Sequence, residues 1–154
     1  MIFVTLGTHE LPFNRLLDAL EDLELSDEVL IQQGNTPHSS SRYRCVPFLT
    51  AEQFDNAMEQ SDLVITHGGV GSILSALEKG KRVIAVPRLS RHGEHNDDHQ
   101  TEICEQMDHE GYITTCADVD RLGEAIEESH IKEYLPYPFD NSALLAAVKS
   151  VLDS

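Results

Sequence analysis

The sequence has no tryptophan, only three cysteines and few aromatic residues, and its 11 basic side chains are outnumbered by 27 acidic ones for a net charge of −16. Each shortage excludes something. Cys45, Cys104 and Cys116 are odd in number and lack CxxC spacing, which rules out a disulfide framework and reads as a reducing compartment, with the cytoplasm as the default. The acidic balance excludes nonspecific binding to nucleic acid or to an anionic bilayer, because the long-range field repels both. No apolar run approaches membrane-spanning length, and the opening "MIFVTLG" is too short, and too soon followed by "THELPFNR", to read as a signal peptide.

What is present points to a folded chain. Forty per cent apolar residues over 154 positions suffice for a core within one domain, 1–154. Short β-branched runs alternate with segments of helical period, the pattern of a parallel sheet covered by helices. Strands are expected at Met1–Leu6, Glu28–Gln33, Tyr43–Leu49, Leu63–Thr66 and Arg82–Pro87, with a shorter one at "YITT". Pro47 marks the third as short or at an edge. Helices are expected at Pro12–Leu23, at Ala51–Gln60 behind a Thr50/Gln53 capping box, at Gly71–Lys79, at Asn96–His109 and after Asp118. The segment 141–154, "NSALLAAVKSVLDS", reads as a C-terminal helical tail whose apolar stripe is core packing or a docking face.

Three stretches carry chemistry. "THGGVGSILS" leads from an apolar strand through Gly68, Gly69, Gly71 and Ser72 into a helix. Such a turn offers backbone N–H groups and the positive helix end to a phosphate, with His67 and Ser72 as side-chain donors, and needs no net positive charge. Its spacing matches neither the dinucleotide fingerprint nor the Walker loop, and the glycines would equally serve a tight strand-to-helix turn. "TLGTHELPF" supplies a second loop of the same kind, with Gly7, Thr8 and His9. In an open α/β sheet both face one crevice at the carboxyl edge. "RHGEHNDDHQ" concentrates histidines, carboxylates and amides, and Asp97, Asp98 and Gln100 would offer hydrogen bonds to sugar hydroxyls if a helix begins near Asn96. His92, His95 and His99 form an alternative metal set, but no HExxH or cysteine pair accompanies them, so neither metal nor cofactor is expected.

Together, "FVTLGTHELPFNRLL" and "THGGVGSILSALEKGKRVIAVPRLSRHGEHNDDHQ" resemble the C-terminal, donor-binding half of a GT-B glycosyltransferase of the glycosyltransferase-28 group. More narrowly they are similar to the Alg13-like subunits, including bacterial ones of exopolysaccharide and capsule synthesis. The resemblance runs to about Met107. It implies a Rossmann-like open parallel sheet with helices on both faces. It also implies a UDP-sugar donor whose diphosphate meets Gly7, Thr8, His67, Gly69, Gly71 and Ser72, and whose sugar meets Asp98 and Gln100. Many members of the wider group carry a ribose-binding Glu three residues after the turn serine. Here that position is Ser75, leaving the ribose to a hydroxyl or to Glu78 one turn on.

The implied activity is that of the donor-binding subunit of a two-component inverting hexosyltransferase. It would add a hexose or N-acetylhexosamine to a lipid-linked acceptor, with a membrane-anchored Alg14-like partner holding the chain at the cytoplasmic membrane face. The catalytic base is left unassigned, with His9 the one candidate on this chain. The alternative is a non-catalytic subunit that enhances a partner's transferase.

Overall fold

The computed structural model describes residues 1–139, so the expected tail at 141–154 lies outside the described residues. Six strands form one all-parallel sheet: β1 Ile2–Thr5, β2 Val29–Gln32, β3 Arg44–Val46, β4 Leu63–His67, β5 Arg82–Val86 and β6 Thr114–Thr115, in the order β3-β2-β1-β4-β5-β6. The helices are α1 Asn14–Asp22, α2 Ala51–Gln60, α3 Val70–Glu78, α4 His99–His109 and α5 Leu122–Ile131.

Alternation along the strands sends side chains to two separate cores. Ile2, Val4, Ile31, Ile65 and Ile84 pack under α1 and α5, through Leu16, Leu17, Leu20, Leu122 and Ile126. Phe3, Val64, Val83 and Ala85 pack on the other face against Met58, Ile73, Leu74 and Met107 of α2, α3 and α4. The central strands are buried on both faces, which is why they read as unbroken apolar runs.

Local signals survive folding. Thr50 accepts from the backbone N–H of Gln53 at 3.1 Å while the Gln53 side chain accepts from that of Thr50 at 3.0 Å, closing the capping box that starts α2. β3 is three residues long and lies at the sheet edge, as Pro47 requires. One boundary moves. α4 starts at His99 rather than Asn96, because the preceding residues close on themselves: Asp97 accepts from the His99 N–H at 3.0 Å, and its own N–H turns back to His95 Nδ1 at 3.3 Å.

The connections set where a ligand can sit. From β1 the chain runs outward through β2 to β3, and from β4 it runs the opposite way through β5 to β6. The turns after β1 and β4 therefore diverge at the carboxyl edge and leave a crevice between them.

Candidate functional site

That crevice is a cleft of about 610 Å³ lined by both glycine turns. Gly7, Thr8 and His9 come from the turn after β1; His67, Gly69, Gly71, Ser72 and Ser75 come from the end of β4 and the start of α3. Gln100 reaches it from the first turn of α4 and His95 from the preceding loop. The lining also includes apolar Phe48, Leu49 and Phe54 beside Asp55.

The glycines face an imidazole as well as open space. A Cβ at Gly7 or at Gly69 would overlap the His67 ring, and Gly7 also holds φ at 71°. The two turns can approach each other only because neither carries a side chain, and His67 fills the gap. Its ring is buried, and burial, followed by the positive charge of Arg88, pulls its pKa down to about 3. It is therefore a neutral hydrogen-bonding group at any physiological pH. The site opposes a positive charge on this ring, so protonation is not available to strengthen a hold on a leaving diphosphate.

Arg88, which sequence reasoning overlooked, organises this edge. Its side chain is 1% exposed, donating through Nη1 to the carbonyls of Leu11 (2.8 Å) and Glu94 (3.0 Å) and through Nη2 to that of Leu6 (2.8 Å). The guanidinium lies 5.0 Å from the centroid of the Phe13 ring. Burial lowers its pKa to about 10, opposed by Glu94, so it stays charged. Glu94 is itself buried, bonded at both oxygens to Arg15 at 3.1 Å and accepting from Leu89 N–H at 3.1 Å. The β1–α1 loop, the β5–α4 loop and the start of α1 are thus tied together at this edge. The one available signal was a lone arginine directly after a buried strand, in "AVPRLS".

The candidate sugar residues separate. Gln100 is buried at the cleft, where its Oε1 accepts from the backbone N–H of Gly68 (3.1 Å) and of Arg88 (3.0 Å). Asp98 is exposed and outside the cleft lining. Its carboxylate accepts from Ser90 N–H at 2.9 Å and Ser90 Oγ–H at 3.1 Å, bonds that hold its pKa below the usual range. Ser75 lines the cleft, but its hydroxyl donates to the carbonyl of Gly71 at 2.8 Å; Glu78 is exposed and does not line it.

His9 stacks on His95 with ring centroids 4.6 Å apart, and its Nδ1 accepts from Leu11 N–H at 3.0 Å. A neutral ring with Nδ1 so engaged carries its proton on Nε2, and in that arrangement has no lone pair there to act as a base. His92 and His99 are exposed, and neither lines this cleft. Among the described residues no group of three or more His, Cys, Asp or Glu side chains is placed to hold a metal ion.

Residues 1–151 match the glycosyltransferase family 28 C-terminal domain. The chain belongs to this family. The family 28 domain is 28% identical over 128 residues to the human UDP-N-acetylglucosamine transferase subunit ALG13, covering 75% of this chain and 11% of that protein. The subunit of the same name from Saccharomyces cerevisiae is 32% identical over 85 residues, covering 54% of this chain and 40% of the relative. The chain thus spans well under half the length of either.

Among solved structures, the solution structure of ALG13 aligns over 99% of this chain and 96% of that one, with a TM-score of 0.63 at 22% identity. MurG from Acinetobacter baumannii aligns over 85% of this chain and 42% of that one, with a TM-score of 0.58 at 18% identity. These structures share the fold, that of a GT-B half, and the family 28 match makes this chain a glycosyltransferase domain. No helix among the described residues is long and apolar enough to cross a membrane.

Proposed function

We propose that this chain is the UDP-sugar-binding subunit of a two-component inverting glycosyltransferase, with the donor held in the cleft between the β1 and β4 turns. The observation that carries the reading is the cleft's mixed lining at the topological switch point. Gly7, Thr8, Gly69, Gly71 and Ser72, with the N-terminus of α3, suit a diphosphate; Phe48, Leu49 and Phe54 of the same cleft suit the flat face of a base. Backbone N–H groups and a neutral His67 supply binding without a cationic patch, which fits a chain of net charge −16.

The sugar would lie toward Gln100, which retains one N–H beyond the bonds it already makes. Asp98 would join it only by exchanging Ser90 for a sugar hydroxyl, and Ser75 would meet the ribose as an acceptor. Transfer would be of a hexose or N-acetylhexosamine to a lipid-linked acceptor in polysaccharide assembly. The acceptor-binding half and the general base would come from a membrane-anchored Alg14-like partner, which would hold this chain at the cytoplasmic membrane face. Support comes from the match to a C-terminal domain family and from relatives that are themselves called transferase subunits.

Calorimetric titration of the purified chain with UDP and a panel of UDP-sugars, with and without chelator, tests the donor assignment. Metal-independent binding with preference for one sugar is the expected result. A second reading, an enhancer that never touches the donor, draws on Ser75 standing where the wider group has a ribose-binding Glu. Absence of binding both alone and with a co-expressed partner would favour it.

A further inference from the structure

Gln100 makes three hydrogen bonds that leave its orientation no freedom. Oε1 receives two backbone N–H donors, Gly68 at 3.1 Å and Arg88 at 3.0 Å, which fill both lone pairs of one oxygen. A rotated carboxamide would turn its NH2 onto two N–H groups and leave three donors with no acceptor. The atom 3.3 Å from His67 Nδ1 is therefore the amide nitrogen, and Nδ1 is the acceptor. A neutral imidazole that accepts at Nδ1 carries its hydrogen on Nε2. This bond to Gln100 is the only His67 side-chain hydrogen bond among the described residues, and the Nε2 edge is the one turned toward Gly7 and Gly69, within the cleft lining.

We infer that Gln100 is a positioning residue: it fixes the tautomer of His67 so that the imidazole presents an N–H, never a lone pair, to the diphosphate of a bound nucleotide. This deepens the proposed function and rests on it for the identity of the ligand. The same geometry explains why His67 resists a second proton. An N–H at Nδ1 would point at the Gln100 NH2, burial disfavours a charged ring, and the Arg88 guanidinium adds positive charge nearby, as would a proton on His9 or His95. A lone pair on Nε2 would repel phosphate oxygens, so the wrong tautomer would turn a donor into a repulsive group. The carboxamide also joins the β4 turn to the start of the β5–α4 loop through its two backbone donors.

Long-range 1H–15N spectra of the full chain, labelled at histidine, read the tautomer directly. The expected wild-type spectrum places the His67 proton on Nε2 and leaves it unchanged from pH 8 to pH 5. Gln100→Glu keeps an oxygen for Gly68 and Arg88 but offers His67 a second acceptor. In that variant His67 should carry a proton on Nδ1 and titrate at higher pH than in the wild type. A wild-type ring protonated on Nδ1 overturns the inference without any variant, and so does an unchanged His67 signal in folded Gln100→Glu.

UDP added to the wild-type sample separates the two claims. Perturbation of the Nε2 proton supports the ligand assignment. A correct tautomer with no response to saturating UDP overturns the nucleotide reading and the diphosphate half of the inference, while the Gln100–His67 relation stands.

Discussion

The imidazole of His67 occupies the space that a side chain at Gly69 would require, so these neighbours form one packing unit across the tip of β4. Gly69 has φ −70° and ψ 123°, values that alanine adopts freely, so the cost of Gly69→Ala is steric. We expect Gly69→Ala to destabilise the fold by about 1–3 kcal/mol, as overpacking does, and to weaken UDP binding. The double variant Gly69→Ala/His67→Ala should recover most of the stability lost through Gly69→Ala. Urea denaturation followed by circular dichroism checks this, since the chain lacks tryptophan fluorescence. Additive losses would mean the two residues do not share the space.

Gly71 lines the cleft at the first turn of α3, and its substitution separates occupancy from folding. Gly71→Val should lower UDP affinity about tenfold or more, roughly 1.4 kcal/mol, with little change in the urea midpoint. Calorimetry and denaturation on the same preparation decide it, and unaltered affinity would make the turn structural only.

Stability should fall on acidification through His67. Its folded pKa of about 3 lies below its ordinary value of 6.5, so the unfolded chain binds more protons between those limits. The associated stability is complete above pH 6.5 and is lost as pH falls toward 3. Between pH 7 and pH 5 the loss from this residue is about 2 kcal/mol. His67→Asn should show a correspondingly shallower dependence, measured as urea-derived stability at the two pH values; parallel profiles would contradict the buried neutral ring.

Arg88→Met should cost about 3 kcal/mol or more, because it strips charged donors from the carbonyls of Leu6, Leu11 and Glu94. Arg88→Lys keeps a charge but cannot reproduce the planar fork, so it should recover only part of that loss. A urea midpoint for Arg88→Met within error of the wild type would show that the β1–α1 and β5–α4 loops do not depend on it.

Much of this fold is visible along the chain because its causes are local. Apolar runs mark the buried strands, the 3.6-residue period marks α1 through Leu16, Leu17 and Leu20, and Thr50 with Gln53 starts α2 at its observed residue. The site is legible to the same depth. Glycines after β1 and β4 are recognisable as turns, and a parallel α/β order brings their ends to one edge.

What only the tertiary structure decided is how the polar side chains are spent. Arg88 bonds a carbonyl 82 residues away in sequence, and Gln100 bonds a backbone N–H 32 residues away. Asp98 and Gln100 are two residues apart and look equivalent as sugar ligands, yet one is exposed against Ser90 and the other is buried against His67. Composition and periodicity therefore determined the alternation of strands and helices, the acidic surface and the two glycine turns, since each follows from backbone preference or burial of nearby residues. The neutrality of His67, the charge beneath it and the separation of Asp98 from the cleft depend on which distant groups satisfy buried donors and acceptors, and only the folded arrangement sets that.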